Sequence, residues 1–169
     1  NVALGGSLYT HIADQHPDAT VLVADLVGFT TLAAHIGPDQ VVHLLNEIFS
    51  GFDLLVFKHG LEKIKTIGDA YMAAGGIPLP RPDHAEAIAE LAFDLMADIE
   101  KFNRAYNTSI QLRIGISTGS VVAGVIGRWK FTYDLWGDTV NLACRLESLG
   151  QAGSILVSDL AFKRLKDNY

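Results

Sequence analysis

The 169-residue chain has one cysteine, which excludes an internal disulfide and leaves the redox compartment open. Basic residues are outnumbered, 13 Lys and Arg against 19 Asp and Glu, and the net charge of −6 excludes a broad basic surface for nucleic acid. An anionic substrate would then need a metal ion or a local group of Lys and Arg. No apolar run of membrane-spanning length and no signal peptide is evident, so no membrane contact is expected from this segment. Low-complexity tracts are missing too. So are a Gly-x-Ser-x-Gly elbow and a P-loop; "GGSLYT" at 5–10 has glycines but no strand before them. The six histidines (His11, His16, His35, His43, His59 and His84) show no metal-ligand spacing and read as surface residues. The first residue is Asn1, not Met, so the chain reads as a piece of something longer.

Apolar material is plentiful: 49% hydrophobic against 19% charged residues supports one domain with a sizeable core. Residues 1–19, polar and punctuated by Gly and Pro, read as a lead-in, with the folded domain over 20–169. Val21-Leu22-Val23-Ala24 reads as a buried strand closing on Asp25. A helical stretch follows Gly28-Phe29-Thr30. Gly37-Pro38 then precedes a helix with Val41, Leu44, Leu45, Ile48, Phe49, Phe52 and Val56 at helical spacing. Strands near 61–67 and 70–76 flank Gly68-Asp69, a two-residue turn signal. Asp83-His84-Ala85-Glu86 has capping-box form before a helix striped by Ile88, Leu91, Leu95, Ile99 and Phe102. Residues 110–117 alternate as a half-buried strand, and "TGSVVAGVIG" reads as a second strand after a turn at Gly119-Ser120. "GRWKFTYDLWGD" reads as an extended arm. A helix from its N-cap Asp138 to Leu149 stops at Gly150, before a last strand, Ile155-Leu156-Val157, and a helical end. Hairpins mixed with crossovers point to an α+β sheet covered by helices, not a doubly wound parallel sheet.

Asp25 and Asp69 are the first chemical signal. Buried strands rarely finish on an unpaired carboxylate, because the charge loses hydration there. If their strands are neighbours, both carboxylates project from one edge of the sheet. Two aspartates suit Mg²⁺, which keeps waters and shares oxygen ligands with substrate phosphates. Turn and cap chemistry accounts for the same pair: an Asx turn at Asp69 and a helix cap at Asp25. In the helix 138–149, Leu142, Ala143, Leu146 and Leu149 form an apolar stripe, with Asn141, Arg145 and Ser148 opposite. An amide above a guanidinium can read a ribose or a phosphate, and an ordinary solvated face has the same composition. Lys65 shares a strand face with Lys63, where lysines usually only discourage edge pairing. Arg113 and Asp134 carry no signal singly.

Four ordered segments change that balance: "VLVADLVGFT" at 21–30, "KTIGDAYMAA" at 65–74, "LRIGISTGSVVAGVIG" at 112–127 and "YDLWGDTVNLACRLES" at 133–148. Together they resemble the catalytic domain of class III nucleotidyl cyclases, the adenylyl and guanylyl cyclases. The resemblance implies a ferredoxin-like βαββαβ core, a mostly antiparallel sheet with helices packed on it, and an extended β-arm for dimerisation. It implies attack of the ribose 3′-oxygen of a nucleoside triphosphate on its own α-phosphorus, releasing pyrophosphate. Two divalent metal ions, Mg²⁺ or Mn²⁺, would be held by Asp25, the Leu26 backbone and Asp69. Lys65 and Asp134 fall on the adenine-reading positions, where guanylyl cyclases usually carry Glu and Cys, so ATP is the expected substrate. Asn141 would orient the ribose, Arg145 would stabilise the transition state, and Arg113 with Gly28, Phe29 and Thr30 would contact the triphosphate.

In this family the metal aspartates and the Lys/Asp/Asn/Arg set come from different subunits. A head-to-tail homodimer with two shared sites is therefore expected, with "GRWKFTYDLW" as its contact and a cytoplasmic location. The resemblance has two departures. Cys144 stands where Ser is frequent, and the family's last hairpin, which often supplies a phosphate-contacting Lys, would lie beyond Tyr169. Two alternatives use the same residues: a catalytically silent nucleotide-binding regulatory domain, opposed by the retention of all six key positions, and a guanylyl cyclase, opposed by Lys65 and Asp134.

Overall fold

The computed structural model describes the backbone of Val2–Leu4 and Ser7–Tyr9 and all of residues 13–169; His11 and the glycines of "GGSLYT" lie outside the described residues. In chain order the elements are β1 (Val2–Leu4), β2 (Ser7–Tyr9), β3 (Ala13–Val27), α1 (Phe29–Ala33), α2 (Pro38–Lys58), β4 (Glu62–Ile67) and β5 (Ala70–Gly75). There follow α3 (His84–Tyr106), β6 (Gln111–Ile126), β7 (Thr132–Trp136), α4 (Asp138–Leu149), β8 (Ile155–Val157) and α5 (Asp159–Leu165). β1 and β2 pair only with each other, while the main sheet runs β4-β5-β3-β6-β7 with every neighbour antiparallel. β8 joins β6 in parallel. This is the expected α+β, mostly antiparallel architecture.

β3 is buried on both faces, which is why it reads as a continuous apolar run. Leu22, Ala24 and Leu26 enter a core with Phe52 of α2 and Ile88, Leu91 and Leu95 of α3. Ala19, Val21 and Val23 face the other way, into a second core with Val140 and Ala143 of α4. The period-2 alternation thus assigns each helix its face of the sheet. Asp25, next in the odd register, and Arg113, whose neighbours Leu112 and Ile114 point into the first core, both belong to the α4 face.

The structure corrects several expectations. The sheet begins before residue 20: β3 starts at Ala13 and pairs with β6, and the Pro17-Asp18 punctuation is absorbed by a register shift between His16 and Ala19. Proline has no N–H for the ladder, so an irregularity is where a strand tolerates it. Gly119-Ser120 is not a turn; β6 is one 16-residue strand, with Gly119↔Ala19 still in register. Asp83 is the N-cap residue of α3, but its side chain makes no cap bond, because Arg81 takes the carboxylate through two bonds, Nε to Oδ1 at 2.7 Å and Nη2 to Oδ2 at 2.9 Å. Asp138 is the first residue of α4, and Gly137 is the N-cap.

Three side chains also depart from expectation. His84 is a core residue, 1% exposed, bonded to Thr20 Oγ1 through Nδ1 at 2.7 Å and to Arg164 through Nε2 at 3.0 Å. Lys63 and Lys65 do not share a face: a bulge between them sends Lys63 to Asp53 and Lys65 to Asp134. Finally, α2 is long and apolar enough, by length and composition, to cross a membrane, although no such run was expected. Its Ile48, Phe49, Phe52 and Val56 are buried in the first core.

Candidate active site

Asp25 pairs with Ala70 across β3 and β5, so the β4–β5 turn brings Asp69 beside the end of β3. Gly68 takes the positive φ of 58° that this turn requires, and the Leu26 N–H donates to the Asp69 carbonyl at 3.1 Å. Both carboxylates therefore leave the same end of the sheet. Thr30 Oγ1 donates to Asp69 Oδ2 at 3.4 Å. Burial, followed by the charge of Asp25, raises the Asp69 carboxyl above its ordinary range. Two carboxylates this close resist joint ionisation, a conflict that a cation between them relieves.

Arg113 of β6 lies directly opposite Asp25 in the ladder, and its Nη2 donates to Asp25 Oδ2 at 2.6 Å. The same Nη2 stands 3.3 Å from Oε1 of Glu147, a buried residue of α4. Burial first, then the charge of Asp25, pushes the Glu147 carboxyl up to about 7. Sequence reasoning missed Glu147 altogether. The inward face of α4 is Thr139, Val140, Ala143 and Glu147, while Leu142 and Leu149 of the expected stripe are exposed. The signal available was the spacing of Val140, Ala143, Cys144 and Glu147 at i, i+3, i+4 and i+7.

Gly115 sets how close α4 comes. A Cβ there would stand 2.3 Å from the Ala143 carbonyl oxygen and 2.5 Å from the Glu147 nitrogen, both helix backbone. Only a glycine permits that approach, and it brings Glu147 down onto the strand that carries Arg113.

The other expected residues group elsewhere. Lys65 Nζ donates to Asp134 Oδ2 at 2.8 Å, both side chains being largely shielded, and Asp134 Oδ1 accepts from the Leu135 N–H. This pair joins β4 to β7, the two ends of the strand order. Its charge reaches α4: Lys65 lowers the Cys144 thiol, although burial and Glu147 outweigh it and leave the thiol raised. Asn141 and Arg145 are exposed and, with Asp138 and Leu142, line a cavity of about 300 Å³. Gly28 is the left-handed N-cap of the five-residue α1. Phe29 is buried in the first core, so only its backbone faces outward chemistry. The described hydrogen bonds thus link Thr30 to Asp69, Arg113 to Asp25 and Lys65 to Asp134, and the Leu26 N–H bond to the Asp69 carbonyl holds the first two pairs side by side.

For a metal, the hard oxygens of Asp25, Asp69 and the Leu26 carbonyl are the donors at hand. Among the described residues no group of three or more His, Cys, Asp or Glu is arranged as a metal cage. Two carboxylates alone fit an ion that completes its shell with water and substrate oxygens.

Comparison with known proteins agrees with this architecture. The adenylate and guanylate cyclase catalytic domain family matches residues 12–169. The chain is 47% identical over 158 residues to an adenylate cyclase of Mycobacterium tuberculosis, covering 94% of this chain and 36% of that protein. It therefore spans little more than a third of that relative's length. The guanylate cyclase domain of a Catenaria anguillulae protein, solved in complex with GTP, superposes with a TM-score of 0.88 at 35% identity, covering 92% of this chain and 86% of that one. The catalytic core of a rhodopsin-guanylyl cyclase with converted specificity, in complex with ATPαS, also gives 0.88, at 36% identity and 93% and 85% coverage. On sequence and fold alike, the chain belongs to the adenylate and guanylate cyclase catalytic domain family.

Proposed function

We propose that this domain is an adenylyl cyclase, converting ATP to 3′,5′-cyclic AMP and pyrophosphate at sites shared between two copies of the chain. The observation that carries the choice of base is the Lys65–Asp134 pair. A cationic donor beside a carboxylate acceptor complements adenine, whose N1 accepts and whose exocyclic amine donates. With Lys65 at the ring nitrogen and Asp134 at the exocyclic group, guanine presents the reverse at each, a ring N–H and a carbonyl, and would leave both side chains unpaired. Discrimination from such a mismatch reaches about 10⁴-fold.

Asp25, Asp69 and the Leu26 carbonyl would hold divalent cations, which supply positive charge at the attacking oxygen and the triphosphate. The chain's own residues do the rest. Arg113, bonded to Asp25, would take a phosphate oxygen through its planar fork. The backbone around Gly28, Phe29 and Thr30 borders the same end of the sheet. Asn141 orients the ribose so that its 3′-oxygen faces the α-phosphorus. A new P–O bond forms there as the 3′-hydroxyl loses its proton, and the bond to the β-phosphate oxygen breaks. Pyrophosphate leaves with the bonding pair, and Arg145 stabilises the charge that develops on the phosphorus-bound oxygens.

Shared sites are supported by the separation of the groups within one copy. Arg113 bonds Asp25 and Lys65 bonds Asp134 with no described hydrogen bond joining the two pairs, while Asn141 and Arg145 line a cavity of their own on α4. A contact surface is available in Ile126, Trp129 (93% exposed), Phe131 and Trp136 on and around β7. The test is incubation of the dimeric protein with Mn²⁺-ATP or Mn²⁺-GTP and separation of the products. Cyclic AMP from ATP, with little product from GTP, is expected. Cyclic GMP alone would overturn the base assignment, and no cyclic nucleotide at all would overturn the catalytic reading.

A further inference from the structure

Two buried polar atoms beside the aspartates lack a hydrogen-bond partner, Glu147 Oε1 and Arg113 Nε. Buried polar atoms are seldom left that way without a reason. The Arg113 guanidinium meanwhile spends its Nη2 on Asp25, at 2.6 Å, although Glu147 Oε1 waits at 3.3 Å from the same nitrogen. Arg113 thus stands between two carboxylates, one on β3 and one on α4, and is committed to the first.

The Asp25 oxygen it occupies is one that a divalent cation would need. A second cation arriving there meets the guanidinium at contact distance, and the two repel. The guanidinium, 31% exposed, must then give up Asp25, which leaves Nη2 as well as the buried Nε in need of an acceptor. A small rotation offers it the Glu147 carboxylate, with Nε and Nη2 free to make the paired bonds that Arg forms with carboxylates.

We infer that Glu147 is a positioning residue, which receives Arg113 when Asp25 turns to a divalent cation and so keeps the arginine at the site. This exchange rests on the reading of Asp25 as a metal ligand. It gives a purpose to an acidic residue on the buried face of α4, where packing alone favours an apolar one. It also gives Oε1 and Nε, both without a hydrogen-bond partner here, a contact to make.

Mn²⁺ binding to the nucleotide-free protein, followed by the electron paramagnetic resonance signal of free Mn²⁺, tests the exchange without any turnover. Glu147→Gln should weaken Mn²⁺ binding by about tenfold, the lower end of what outer partners of metal ligands are worth. Arg113→Gln removes the competing cation and should tighten binding several-fold. In the Arg113→Gln background, the added Glu147→Gln change should then have little effect, because Glu147 acts through Arg113. Glu147→Asp should recover part of the loss. An equal loss in both backgrounds would mean that Glu147 acts as a bare charge or a fold support, and would overturn the exchange. Unchanged affinity in Glu147→Gln, or no measurable Mn²⁺ binding by the wild type, would overturn it as well. Should Glu147→Gln not fold, by its thermal melt, Arg113→Gln decides alone: unaltered or weaker Mn²⁺ binding sinks the idea. Nucleotide turnover by the wild type tests the cyclase reading separately, so either can fail without the other.

Discussion

At the scale of single residues, the Lys65–Asp134 pair is the most exposed to test. Lys65→Glu combined with Asp134→Cys should lower ATP use and raise GTP use, moving the ratio of the two kcat/KM values by at least about tenfold. An unaltered ratio would remove the base-reading role from both positions. Gly115 is a second test. Gly115→Ala drives a methyl into the α4 backbone and should destabilise the fold by about 1–3 kcal/mol, read as a lowered denaturant midpoint with the slope unchanged. A midpoint within error of the wild type would show that α4 can retreat without cost. The residues that the motifs could reach are joined in pairs, Arg113 to Asp25, Thr30 to Asp69 and Lys65 to Asp134. His84 could not be reached in that way, and Glu147 only through its helical spacing with Val140, Ala143 and Cys144, which marks a face and not a role. A carboxylate in a helix and a lone histidine both default to solvent, and what overrides the default is a partner far along the chain: Arg113 for Glu147, Thr20 and Arg164 for His84.

At the scale of elements, what was legible depended on whether the pattern was local. The strands β4 and β5 fall within a residue of expectation, because alternation and a Gly-Asp turn specify a hairpin from within. The long β6 was misread as two strands because Gly119-Ser120 looks like a turn in isolation. Its continuity is imposed by β3, which pairs with it on both sides of that dipeptide. Likewise the face of α4 was misassigned by counting leucines, whereas the close approach at Gly115 decides which side lies down. The contact of α2 with α3 supplies a pH-dependent test. Asp98 of α3 lies against Gly51 of α2, and burial raises its carboxyl, only partly offset by Lys101. As pH rises, the unfolded chain therefore ionises this group first. Its contribution to stability is complete below the ordinary carboxylate value and is lost as pH climbs through the raised one. Asp98→Asn should accordingly raise the melting temperature at about pH 7 but leave it unchanged near pH 3, where both states are protonated. An identical offset at the two pH values would contradict burial as the cause.

At the scale of the whole molecule, shared sites make a prediction that no single-chain site would. Asp69→Ala and Arg145→Ala proteins should each be nearly inactive. Mixing them should restore about a quarter of wild-type activity, since random pairing gives half heterodimers with one intact site each. Heterodimers that form but stay silent would rule out sites built from two copies. Assembly is also where the sequence was least informative: exposed aromatics such as Trp129 and Phe131 say that a surface is sticky, not what it meets. The Lys65–Asp134 bond has a last consequence, because it ties together the first and last strands of the sheet order. A base entering there does not fill an empty slot; it substitutes for a partner that each side chain already has. On the proposed adenine reading, selectivity would be an exchange equilibrium in which adenine replaces both halves of the bond at once. A base that replaces only one half leaves the latch between the outer strands closed.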